Sequence, residues 1–95
     1  MPILRIEHPV PDFDAWKKTF DSDPLDRKGS GVRSYRVFRP TDDPTYAIID
    51  LELDTLSQAE DLLAGLRRLW GNAQGQGLIG SPHGRIVEVV ESVEL

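Results

Sequence analysis

Ninety-five residues, 10.7 kDa, are enough for one hydrophobic core and too few for two, so a single domain spanning residues 1–95 is expected. Eleven Lys and Arg against sixteen Asp and Glu leave a net charge of −5, which repels a polyphosphate and excludes nonspecific nucleic-acid binding. With no cysteine there is no disulfide, no thiolate metal site and no cysteine nucleophile.

Residues 3–10 alternate, with Leu4, Ile6, His8 and Val10 on one side and Ile3, Arg5 and Glu7 on the other, the period of two of a half-buried strand. Arg5 and Glu7 also break the apolar run that a signal peptide would need. No stretch of 18 apolar residues follows, so a soluble, cytoplasmic protein without membrane contact is expected. Asp12 is placed to cap a first helix whose Phe13, Trp16 and Phe20 form one stripe and whose Asp14 and Lys18 are spaced to pair. The run from Asp21 to Gly31 is rich in turn formers and reads as a loop, with Asp23-Pro24 able to open one helical turn. Gly31–Arg39 and Thr45–Asp54 are predicted as an antiparallel hairpin around PTDDP, the second strand carrying Ala47, Ile49, Leu51 and Leu53 on one side.

Thr55 and Gln58 make a capping box before Leu56, Ala59, Leu62, Leu63, Leu66, Leu69 and Trp70, which recur every three or four residues. This second helix is expected to stop at Gly71. Gly71–Gly84 then reads as a long, mobile glycine loop, and Arg85–Val93 as the last strand. Gly75, Gly77 and Gly80 spell G-x-G-x-x-G, but a helix precedes them and a strand follows, the reverse of the dinucleotide-binding context.

The order βαββαβ with right-handed crossovers gives an α+β, ferredoxin-like fold: a four-stranded antiparallel sheet in the order 4-1-3-2 with both helices on one face. The other face would carry Ile3, Arg5, Glu7, Tyr46, Ile48, Asp50 and Glu52. That mixture is too apolar for water and too charged for a core, so a second copy of the chain is expected to cover it.

His8 and His83 are the two histidines, and antiparallel pairing of the first and fourth strands places them at one end of the sheet. They are read as candidate proton-transfer residues, with an interior hydrogen-bonded His8 and a solvated His83 as the alternative. Tyr35 and Trp70 are the candidate ligand-binding aromatics, Trp70 because it closes its helix beside the glycine loop, whereas Trp16 reads as core. Asp50, Glu52 and Asp54 share one side of a strand, where pairing with Arg5 and Arg36 is favoured over metal binding. No cofactor or metal is called for, and the acidic surface favours a small apolar or aromatic ligand.

The chain resembles the dimeric α+β barrel superfamily, which includes the antibiotic-biosynthesis monooxygenase-like small proteins. The resemblance rests on the βαββαβ order, the length, and Phe13, Trp16 and Phe20 followed by Asp23-Pro24, Gly31-Val32, Tyr35 and Asp42-Asp43-Pro44. It implies a homodimer formed by stacked sheets and a ligand cleft between sheet and helices, where His8, Tyr35 and Trp70 would point. The superfamily's haem-degrading members are similar in pairing a Trp with a His, which Trp70 and His83 echo, whereas Glu7 and His8 stand where those enzymes have Asn. Two functions are expected to compete. One is a cofactor-independent monooxygenase, cyclase or isomerase acting on a small aromatic or polyketide-like compound; the other is a noncatalytic binding or structural dimerisation module.

Overall fold

A computed structural model describes residues 1–75, 77 and 79–95. Four strands and two helices follow in the order β1 (Pro2–Pro9), α1 (Phe13–Asp21), β2 (Val32–Phe38), β3 (Tyr46–Leu53), α2 (Leu56–Gly75) and β4 (His83–Glu88). The strands form one antiparallel sheet in the order β2-β3-β1-β4, which is the predicted ferredoxin-like arrangement read from the other edge.

Strand periodicity decides which residues make the core. Leu4, Ile6 and His8 of β1 share a face with Leu51, Ile49 and Ala47 of β3, and this face is buried beneath Trp16 of α1 and Ala59, Leu62, Leu63 and Trp70 of α2. Asp12 caps α1 by accepting from the Ala15 amide at 3.2 Å. The pair four apart on α1 is Lys17–Asp21, at 2.7 Å, rather than Asp14–Lys18. At α2 the capping box is complete, the Gln58 amide donating to Thr55 Oγ1 at 3.1 Å and the Thr55 amide to Gln58 Oε1 at 3.2 Å.

The bounds of α2 and β4 and the alternation of β2 differ from expectation. Helix α2 continues through Gly71 to Gly75, because a single glycine costs only about 1 kcal/mol in a helix whose Trp70 and Ala73 are held by packing. The expected long loop is correspondingly shorter; of it, Gln76 and Leu78 lie outside the described residues, while Ile79 is buried and the Gly80 amide donates to the Pro9 carbonyl at 2.9 Å. Strand β4 runs from His83 to Glu88, earlier at both ends than expected, its last residue paired with Pro2. In β2 an irregularity between Val32 and Ser34 shifts the alternation, so Val32, Tyr35 and Val37 face the helices while Ser34, Arg36 and Phe38 face the other way.

Candidate functional site

A cavity of about 290 Å³ lies between the sheet and the two helices. Its floor is Ile6, His8, Ile49 and Leu51 of the sheet, and its walls include Trp16, Phe20, Leu66 and Trp70. The α1–β2 connection contributes Asp23 and Arg27. An amphipathic helix laid on a sheet normally closes this space; here Gly84 leaves room for Leu63 and Trp70, whose side-chain atoms would stand 2.7 and 3.0 Å from a Cβ at that position.

His8 is the buried polar group of the floor, 2% exposed. Its ring meets Trp16 edge-to-face at 5.5 Å, and its Nδ1 lies 3.3 Å from the Pro9 carbonyl oxygen. A carbonyl only accepts, so this contact places the proton on Nδ1 and leaves the lone pair on Nε2. Burial lowers the His8 pKa, outweighing the opposing pull of the carbonyl, so at neutral pH the imidazole is uncharged. The site thus holds a neutral base against an apolar wall.

Arg27 lines the cavity and also the groove beside β2, its guanidinium carbon 4.0 Å from the Phe20 ring centre and 4.8 Å from that of Tyr35. Nη1 donates to the Phe20 carbonyl at 2.7 Å. Asp23, at φ 56°, accepts from the Arg27 amide at 2.9 Å and shapes the connection that delivers this arginine.

The sequence-predicted residues separate in space. His8 and Trp70 line the cavity together. Tyr35 faces the helices but is opposite Leu51, four residues along β3 from the Ala47 that faces His8, roughly 13 Å away along the strand. It is 45% exposed and touches Phe20 and Arg27 from behind rather than lining the cavity. His83 is not brought to His8. It pairs with Glu7, so it shares the expected end of the sheet but projects from the opposite face, exposed. Adjacent strand residues point to opposite faces, and in this register Gly84, not His83, faces the helices.

Sequence reasoning missed two cavity residues. Trp16, read as core, is both core and cavity wall, and only its position beside His8 distinguishes it from a packing tryptophan. Arg27 lay in a loop with no periodicity to orient it. Among the described residues, no three His, Cys, Asp or Glu side chains converge on a metal position. Asp50 instead takes two hydrogen bonds from Arg5, both 2.8 Å, and these hold its carboxyl below the usual range.

No protein-family model matches the sequence, and no curated protein matches it. Solved structures do. A candidate antibiotic biosynthesis monooxygenase from Deinococcus radiodurans superposes with a TM-score of 0.69 at 14% identity, over 100% of this chain and 98% of that one. SnoaB, a cofactor-independent oxygenase from Streptomyces nogalater, superposes with a TM-score of 0.75 at 10% identity, over 97% and 95%. A dimeric ferredoxin-like protein from an uncultured marine organism gives 0.64 at 12% identity, over 97% of each chain. The chain has the fold of the antibiotic biosynthesis monooxygenase-like proteins. At these identities the shared property is the fold, which upholds the resemblance drawn from the element order; a reaction has to be argued from the residues of the cavity.

Proposed function

We propose that this protein is a cofactor-independent enzyme of the monooxygenase, cyclase or isomerase type, acting on a small aromatic or polyketide-like compound in the cavity over His8. The carrying observation is a buried, neutral imidazole whose Nε2 is free to accept a proton at the floor of an otherwise largely apolar cavity. Proton abstraction from an acidic C–H or O–H of an aromatic hydroxy or keto compound is the step common to all three reaction types. Returning that proton to another atom isomerises the substrate, and attack by the resulting enolate on an internal carbonyl cyclises it. The same enolate is electron-rich enough to reduce dioxygen, converting a ring CH₂ and O₂ into a ring carbonyl and water. In this reading Trp16 and Trp70 hold the ring and exclude water, and Tyr35 acts through Phe20 and Arg27.

The reading also stacks the open sheet faces of two copies, which would bury Phe38, Ile48 and Val87 and place His83 at the seam. The likeness to a dimeric ferredoxin-like structure supports this arrangement.

Anthrone, an aromatic ketone with an acidic ring CH₂, is a direct probe. Dioxygen uptake with formation of anthraquinone is expected for the wild-type protein, and His8→Gln is expected to lower turnover about a hundredfold or more while ligand-induced quenching of tryptophan fluorescence persists. Undiminished turnover in His8→Gln would remove His8 as the base. Binding of anthrone and of phenolic analogues without any turnover by the wild type would assign the cavity to the noncatalytic binding module.

A further inference from the structure

The cavity has a second polar feature that the proton-transfer chemistry does not use. Arg27 is a guanidinium only 15% exposed by side chain, set into the lining of a space otherwise dominated by Leu, Ile, Phe and Trp. Withdrawing a guanidinium from water is costly, and stability alone is served as well or better by an apolar side chain of the same volume. The protein satisfies this group incompletely. Nη1 is used by the Phe20 carbonyl, and Nε is buried without a hydrogen bond, with Asp23 Oδ1 at 3.5 Å. Nη2 has no acceptor among the described residues. The guanidinium packs against the Phe20 and Tyr35 rings, and these contacts restrict the fork before any ligand arrives. Because Asp23 offsets the charge locally, the acceptor this fork suits is a neutral oxygen dipole rather than a full anion.

We infer that Arg27 is a specificity-determining residue that selects aromatic ketones, donating from Nη2 to the ketone oxygen while the hydrocarbon ring lies against Trp16 and Trp70 toward His8. The inference rests on the cavity being the ligand site. A wholly apolar pocket discriminates against a carbonyl, because the oxygen loses its water without replacement; a pocket with a fixed donor reverses that order. The ketone end would thereby be anchored at Arg27 and the acidic end of the ring turned to the histidine, which makes Arg27 a determinant of which proton His8 takes.

1-Tetralone and tetralin share a ring skeleton and differ by one carbonyl oxygen, so their affinities for the wild-type protein and for Arg27→Met, measured by titration calorimetry, isolate the contribution of the arginine. In Arg27→Met the ketone is expected to weaken about ten- to a hundredfold while tetralin changes less than about twofold, its retention showing that the cavity remains folded. A second measurement needs no variant: the infrared stretch of ¹³C-carbonyl tetralone bound to the wild type is expected below its frequency in an apolar solvent. Equal loss of both ligands in a folded Arg27→Met, or a bound carbonyl stretch at the apolar-solvent value, overturns the inference and leaves the cavity reading intact. Failure of the wild type to bind either compound overturns both.

Discussion

The two faces of the sheet carry the same strands and opposite physics. On the helix-covered face Leu4, Ala47, Ile49, Leu51 and Leu53 are almost wholly buried, and the polar exception, His8, is a neutral imidazole beside a cavity. On the open face Ile3, Glu7, Tyr46, Ile48 and Glu52 are half-buried, and a charged group is stabilised there by pairing, Arg5 with Asp50. Burial neutralises an ionisable group on one face, and a partner keeps one charged on the other. The proposed function assigns chemistry to the first face and assembly to the second: a poised base needs exclusion of water, whereas a surface that pairs with a second copy needs satisfied charges and spare apolar area.

Truncating one neighbouring pair tests the contrast at its largest. Ile49→Ala on the covered face is expected to destabilise the fold by about 2–5 kcal/mol in chemical denaturation, and Ile48→Ala on the open face by about 1 kcal/mol or less in the dilute protein. Ile48→Ala should instead shift sedimentation from twice the chain mass toward the single chain. Equal destabilisation by the two substitutions, or a strictly monomeric wild type at micromolar concentration, would break the distinction between the faces.

The ion pair gives the next effect. Asp50 has its folded pKa lowered by Arg5, so its contribution is present above the unfolded value of about 3.9 and is lost as pH falls through the folded one. Asp50→Asn is expected to cost about 1–2 kcal/mol near neutrality and to flatten the acid limb of the stability curve below about pH 4. Asp54, lowered by Arg33, and Asp43, lowered by Thr45, retain a residual slope in that variant. Unfolding curves at stepped pH read this directly, and an unchanged limb would mean the pair contributes nothing.

The smallest effect belongs to His8. Its folded pKa lies below the unfolded value of about 6.5, so the unfolded chain binds the extra proton first. Stability therefore falls as pH drops below about 6.5 and levels off below the folded pKa, with no dependence above. Replacement by Phe, which cannot titrate, is expected to remove that slope, and the His8 ring protons should titrate below 6.5 in NMR. A His8 midpoint above 6.5 would mean that the covered face does not desolvate it.

Most of the architecture was legible because burial imposes periods. The alternation through Leu4, Ile6 and His8 set the inward face of β1, the Thr55–Gln58 box opened α2, and Ala47–Leu53 marked the strand that both neighbours pair with. His8 and Trp70 could be placed at one cavity for the same reason, since each occupies a phase of its own element. Element ends were less legible, as at Gly71, where packing of Trp70 and Ala73 overrides a local preference of about 1 kcal/mol.

What the sequence by itself determined was thus the order of elements, the core faces and the presence of a polar group within one of them. Three things were decided only in the tertiary structure. The pairing of Glu7 with His83 turns that histidine away from His8, because one residue of register exchanges the faces of a strand. The irregularity between Val32 and Ser34 sets which side Tyr35 takes. The connection through Asp23 brings Arg27 against Phe20 and Tyr35, a placement fixed by contacts among residues without a common period, and so one that no pattern along the chain encodes.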